Sequence, residues 1–413
     1  MAMRTGRSFV LPALQGTLAL AIAGAVLTVS GSSLGGAQAT PPAARPAGWV
    51  ERSRTFEEAG LADPFKGITT DGNVQPNLYA LRSTGVSTAP VVSAAKAFLA
   101  TLSEPQRSKT LFAVDDPEWR KWMNQHFYVR QGVGFEEMSE PQREAAFAMV
   151  GASLSANGLQ LTRDIMRLNQ TLGELNGDDF VQYGEWKYWI TVMGTPSATQ
   201  PWGWQLDGHH AIVNYFVLGD EVVMTPMFVG SEPVTATSGK YAGTSVMQQE
   251  QNQALALMQS LSPALRARAT IATDKTANNN LTEAFKDNVV VPYAGVAAED
   301  LPKEAQQALY KLISLYVELE DVGHGRVRLG DIARHWPNTR FAWVGGTADD
   351  AVFYYRIHSP VILIEFDHQT PIAIRLPDGS RGPTRQHIHA VVRTPNGNDY
   401  GKDLLRQHLL ARH

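Results

Sequence analysis

Apolar and polar residues alternate along this chain with two different periods, in blocks. From Val91 to Leu102 the sequence VVSAAKAFLATL is apolar at helical spacing, and Ser153–Leu175 and Lys303–Leu319 repeat that period. Ser103-Glu104-Pro105-Gln106-Arg107 offers a capping serine and a first-turn proline, whose missing N–H costs nothing at that position. Ser139-Glu140-Pro141-Gln142-Arg143 repeats the signal almost identically before an Ala-rich stretch, with weaker echoes at Ser262-Pro263 and Leu301-Pro302. The intervals between these starts are 36, 123 and 39 residues, too unequal for a helical solenoid. Strand signals fill the gaps. Tyr183–Met193 is rich in aromatic and β-branched residues, and Ala211–Leu218, Gly219-Asp220 and Glu221–Met227 read as a tight hairpin. Arg340–Val344, Val352–Ile357, Val361–Phe366, Ile372–Leu376 and His387–Arg393 form a second strand-rich block. Helices, strands, helices, strands in that order predict an α+β fold, with helices packed on a largely antiparallel sheet in one large domain over 51–413.

The N-terminus changes the picture of where this domain works. Arg4 and Arg7 precede an uncharged, mostly apolar run from Phe9 to Val29, and Ala37-Gln38-Ala39 fits a small-residue cleavage site, so residues 1–39 read as a signal peptide for export to the periplasm or outside the cell. An uncleaved membrane anchor is the alternative, weakened by Pro12, Gly16 and Gly24. Residues 40–50 form a Pro/Ala linker. After cleavage the formal charge would pass from −4 to −6, with Lys and Arg scattered rather than in runs, which argues against a nucleic-acid partner. The partner expected instead is a small molecule, with no membrane contact once the signal is removed. The chain has no cysteine, so any metal must be held by nitrogen and oxygen.

The candidate chemistry is histidine-centred. Trp202-Gly203-Trp204-Gln205-Leu206-Asp207-Gly208-His209-His210 crowds two tryptophans and two histidines together, and six of the eleven histidines follow residue 357. His387 and His389 share one face of a predicted strand, where both imidazoles reach one ion. Glu365 and Asp367 share a face at the end of an apolar strand, where carboxylates need a cation, a metal or solvent. The expected metal set is therefore His209, His210, Glu365, His387 and His389, with zinc or iron as the ion. Adjacent His209 and His210 would point to opposite strand faces, so only one easily joins the site. Asp367 and His368 are the candidate proton-moving residues. Trp202 and Trp204 are candidate walls of an apolar or sugar-stacking pocket, and Arg393 a candidate for an anionic substrate group. Asp399 is placed to cap a C-terminal helix beginning near Lys402. No Gly-x-Ser-x-Gly, His-Glu-x-x-His or phosphate-binding glycine loop occurs.

Taken together, Pro201–His210, Met224-Thr225-Pro226-Met227-Phe228-Val229-Gly230, Tyr354-Tyr355-Arg356-Ile357, Ile364-Glu365-Phe366-Asp367, His387-Ile388-His389 and Asn398–Leu405 resemble the bacterial and fungal family named domain of unknown function 3500, from about residue 90 to the C-terminus. The resemblance implies that the two histidine clusters belong to one fold and carries no activity with it. The residues leave three readings: a metal-dependent enzyme, with hydrolysis slightly ahead of oxygen chemistry; an exported small-molecule or metal-binding protein without catalysis; or a scaffold in which the histidines are hydrogen-bonded core groups.

Overall fold

Each serine–proline signal starts a helix in the computed structural model of the chain. It describes residues 46–374, 379 and 381–411, all within the compact unit Ala39–His413. The predicted signal peptide lies outside the described residues. The helices are α1 Ala47–Gly60, α2 Ala89–Thr101, α3 Glu104–Thr110, α4 Glu140–Ser153, α5 Ala156–Leu175, α6 Gln248–Ser260, α7 Pro263–Ala269, α8 Lys303–Val317, α9 Val322–Arg334 and α10 Lys402–Leu410. At α3 and α4 the glutamine three residues on accepts from the backbone N–H of the capping serine, at 3.0 Å for Ser103 and 2.9 Å for Ser139. The predicted Pro/Ala linker ends earlier than expected, because Ala47 already begins α1. No helix among the described residues is long and apolar enough to cross a membrane.

The strands are β1 Leu111–Phe112, β2 Val133–Gly134, β3 Tyr188–Gly194, β4 Trp202–Gly208, β5 Ala211–Leu218, β6 Glu221–Val223, β7 Met227–Ser231, β8 Thr270–Ala272, β9 Val296–Ala297, β10 Arg340–Gly345, β11 Phe353–His358, β12 Leu363–His368 and β13 Ile388–Arg393. They form one mixed, mostly antiparallel sheet in the order β1-β3-β4-β5-β7-β13-β12-β11-β10-β8, so the fold is α+β as expected. Of the strand predicted at 372–376, Ile372–Ile374 are bends instead, and the next two residues lie outside the described ones.

This order reads the same from both edges. The series α2-α3-β1-β2-α4-α5-β3-β4-β5-β7 recurs as α6-α7-β8-β9-α8-α9-β10-β11-β12-β13, with β6 additional. At each edge a short strand runs parallel to its neighbour, β1 to β3 and β8 to β10. The halves join where β7 pairs antiparallel with β13. The helix starts that failed as a solenoid therefore mark a duplication. They come in two pairs, 36 and 39 residues apart, one pair per half, and Ser103 stands 159 positions before Ser262.

The two sheet faces differ. One carries Trp204, Tyr215, Tyr355 and Phe366 into the main core against Phe98, Met149, Ile165, Leu309 and Ile313 of the helices. The other carries Phe216, Phe228 and Val391 against Trp119, Trp122, Tyr400 and Leu404, which belong to loops and the C-terminal segment. Polar side chains concentrate on this loop-covered face, where backbone and side-chain groups of irregular segments can satisfy them.

Candidate metal centre

The sheet brings His210, His387 and His389 together at the join of the two halves. Their Nε2 atoms form a triangle with edges of 3.2 Å (His210–His387), 3.1 Å (His210–His389) and 3.0 Å (His387–His389). All three rings are buried, and among the described residues they form the group of imidazoles and carboxylates that could hold a metal ion.

Local structure explains the convergence. His387 precedes β13 and His389 lies within it, so the alternation of a strand puts both rings on the loop-covered face. His210 arrives by a different device. Gly208 pairs with Ala211 at the end of the β4–β5 hairpin, which leaves His209 and His210 as its two turn residues. His210 holds φ at +65°, a left-handed conformation uncommon for a non-glycine residue. Its carbonyl accepts from the Gly230 N–H at 2.9 Å, which fastens the turn to β7. The two histidines are thus not on opposite strand faces. Their rings stack 3.9 Å apart, with 28° between planes.

Second contacts fix the orientation of the rings. His387 Nδ1 donates to the Thr370 carbonyl at 3.0 Å, and His389 Nδ1 lies 2.7 Å from Glu283 Oε1. With Nδ1 protonated, each of these rings turns an Nε2 lone pair toward the other. Two lone pairs 3.0 Å apart cannot bond each other, and a shared cation would resolve the repulsion. Burial, reinforced by the neighbouring histidines, holds His210 and His387 well below the ordinary imidazole pKa, in the neutral form that ligates metals. Glu283 is held below the usual carboxylate range: burial opposes this, and the His389 ring, together with hydrogen bonds from the side chains of Asn280 and Asn124, outweighs it.

The triad faces a cavity of about 10 Å³, room for one water-sized guest, also lined by Gln125, His126, Tyr183, Glu232 and Ile372. Glu232 is the carboxylate in this cavity. It accepts from the backbone N–H groups of Ile372, Ala373 and Ile374 at 3.1, 3.0 and 2.8 Å and lies 3.5 Å from His387 Nδ1.

Other residues singled out from sequence stand elsewhere. His209 is a wall of the cavity rather than a member of the triad, with Nδ1 2.8 Å from Asn169 Oδ1. Glu365 is directed at a loop. It accepts from Leu281 N–H at 3.0 Å, Thr282 N–H at 2.9 Å and the Tyr354 hydroxyl at 2.6 Å. Asp367 pairs across the sheet with His389, yet its carboxylate is committed to Lys275 at 3.0 Å and to Asn279 N–H at 2.6 Å. His368 faces the helix side of the sheet, where its Nδ1 accepts from Phe353 N–H at 2.9 Å and its Nε2 lies 3.2 Å from Gln251 Oε1. Neither residue belongs to the triad.

Trp202 and Trp204 lie in the main core, on the face opposite the histidines, with indole N–H groups bonded to Ser197 O and Ser153 Oγ. They are not walls of the histidine site. β4 is a regular strand there, and strand alternation sends both rings to the helices. Arg393 has no free edge for an anionic substrate. Fully buried, it pairs with Asp287 at 3.0 Å and Asp399 at 3.2 Å and donates to the carbonyls of Thr282 and Glu283. Asp399 is occupied by Arg393 and the Thr394 N–H; the side chain that accepts from the first turn of α10 is Asn398, from Leu404 N–H at 3.3 Å. Glu365, Asp367 and Arg393 therefore share one task. They clamp the 275–287 segment on the sheet, and this segment carries Glu283 to His389. Sequence reasoning missed Glu283 and Glu232, since neither belongs to a motif and only the tertiary contact gives them meaning.

The profile of the family described as protein of unknown function (DUF3500) matches residues 84–402, which spans both halves and every residue of the triad. Neither the curated proteins nor the solved structures yield a match.

Proposed function

The chain belongs to the DUF3500 family, and we propose that it is an exported metal-dependent enzyme whose ion is held by His210, His387 and His389. One observation carries the reading: three buried Nε2 atoms converge at 3.0–3.2 Å. Metal–imidazole bonds of about 2.0–2.1 Å place neighbouring nitrogens ~2.9 Å apart on an octahedral face and ~3.3 Å apart in a tetrahedron. The triangle falls between the two, and three ligands leave the ion a position toward the cavity.

Three imidazoles without a carboxylate favour zinc over the two-histidine, one-carboxylate iron set of many oxygenases. Zinc would supply Lewis acidity and an ionised water near neutral pH, which supports hydrolysis. On the protein side, Thr370 and Glu283 orient two of the ligand rings, Glu232 presents a carboxylate to the cavity, and the surrounding aromatic rings exclude bulk water. The narrowness of the cavity, about 10 Å³, favours a second reading in which the protein sequesters a metal without turning over a substrate. The expected ligand remains a small molecule. Export rests on the pattern of residues 1–39 and is tested by the N-terminal sequence of the mature protein.

Elemental analysis of the native protein beside a His387→Ala/His389→Ala variant tests the site. About one zinc per chain, lost in a folded variant, is the expected result. One iron would move the reading to oxygen chemistry, and no metal after incubation with zinc, iron and copper would end it. Metal binding without metal-dependent turnover across ester, amide and phosphoester substrates would favour sequestration.

A further inference from the structure

A second, larger cavity adjoins the triad. Its volume is about 350 Å³, within the range of small-ligand sites, and His126 lines both it and the histidine cavity. The His126 ring stands edge-on to His209 at 5.7 Å and to Trp49 at 5.9 Å, so it forms the partition between cleft and triad.

The chemistry of the walls restricts what fits. Trp49 and Trp189, both half-buried, line the cleft. Every cation among the described residues that line it is already matched by a carboxylate: Lys109 with Glu137 at 2.6 Å, Lys187 with Glu136 at 2.9 Å, and Arg130 with Asp207 at 3.0 Å. Arg130 also gives its remaining N–H groups to the carbonyls of Met123, Gln125 and Tyr128. Among the described residues, therefore, the cleft has no uncompensated charge with which to recruit an ionic ligand. It offers the indole rings of Trp49 and of Trp189, the latter with the Arg130 guanidinium 5.5 Å from its centroid, the side-chain amide of Gln131, and ion pairs whose outer atoms can still accept or donate. That combination suits a molecule with apolar C–H faces and hydroxyl edges.

We infer that this cleft binds a neutral carbohydrate, with Trp49 and Trp189 as stacking platforms and His126 dividing the sugar from the triad. The inference rests on the proposed metal reading only for what lies beyond His126. It moves the sugar-stacking role expected of Trp202 and Trp204 to two other tryptophans on the loop-covered side.

Calorimetric titration of the zinc-loaded protein with cellohexaose, xylohexaose, maltohexaose and chitohexaose tests it. Saturable binding of at least one is expected, weakened about tenfold by Trp189→Ala and by Trp49→Ala and retained in Trp189→Phe, with zinc content unchanged. Trp49 lies on the peripheral α1, so its replacement keeps the test meaningful if Trp189→Ala fails to fold. Absence of binding to all four sugars, binding indifferent to both tryptophans, or preference for oligogalacturonate over every neutral sugar would overturn the inference. Tryptophan-dependent sugar binding in a protein that never takes up metal would uphold the cleft and remove the metal reading, so the two fail separately.

Discussion

His389 shows what the neighbours of one side chain decide. Its ring has two useful nitrogens, and Glu283 takes one, which leaves the other for the ion. Glu283→Gln keeps the size of the group and removes its charge. It should weaken metal affinity by about 10–100-fold while the fold persists, as read from competition with a chelator of known affinity. Unchanged affinity would mean that Glu283 merely fills space. Arg393 makes the opposite case. Arg393→Met would leave Asp287 and Asp399 buried without this cation, since among the described residues Asp399 has no other charged partner and Asp287 keeps only Arg120. A loss of about 3–5 kcal/mol of stability is expected by denaturant titration, and a near-neutral effect would show that the pair is not worth its desolvation. At this scale the sequence made residue type legible but not assignment. His387 and His389 were readable because residues two apart in extended chain share a face. Glu365 and Arg393 were misplaced because a buried charge announces that it has a partner, not which one.

Among the elements, the β4–β5 turn and the β7–β13 pair build the site together. The turn delivers His210 in a left-handed conformation, and β7 must approach β13 without a side chain between them. A Cβ at Gly230 would lie 2.3 Å from the Ile388 carbonyl oxygen and 3.4 Å from the His210 ring. Gly230→Ala should therefore force the two strands apart at the join, with a loss of about 3 kcal/mol in stability and loss of bound metal. Calorimetry and metal analysis on the same sample check both, and a variant as stable and metal-loaded as the native protein would contradict the account. The helices α3, α4 and α7 were legible from their serine and proline signals, because capping is a local interaction, and α8 from Pro302 and its apolar period. The turn at His209 was not. A strand pattern assumes continued alternation, and nothing short of the Gly208–Ala211 pairing reveals where the chain reverses.

At the scale of the molecule, a sheet built from two topologically equivalent halves buries many titratable groups, and His358 makes the consequence measurable. It is buried, neither ring nitrogen has a hydrogen-bond partner among the described residues, and its ring lies 4.7 Å from Tyr293. Burial, with Arg356 nearby, lowers its pKa to about 3. The unfolded chain takes up this proton near pH ~6.5, before the folded one does. The stabilising contribution is therefore present above about pH 6.5 and is lost as pH falls toward 3, by up to ~1.4 kcal/mol per pH unit. His358→Phe should reduce the fall in urea midpoint between pH 7 and pH 4 by about the effect of one proton. An identical fall in variant and native protein would count against a neutral buried imidazole.

Taken by itself, the sequence determined the periods, and with them the α+β class, the principal helices and strands, and the common face of His387 and His389. These follow from local geometry, in which a residue's direction depends only on its neighbours in the chain. It also carried the duplication, as two pairs of helix starts, in a form too sparse to read before the palindromic sheet was seen. The tertiary structure alone decided that His210, and not His209 or Glu365, completes the triad. It alone decided that Trp202 and Trp204 face the helices and that Glu283 and Glu232 stand beside the ligands. The physical reason is sequence separation. His210 and His389 are brought together by the pairing of β7 with β13, and Glu283 reaches His389 only because buried ion pairs clamp its loop to the sheet. No local pattern encodes contacts made across such distances in the chain.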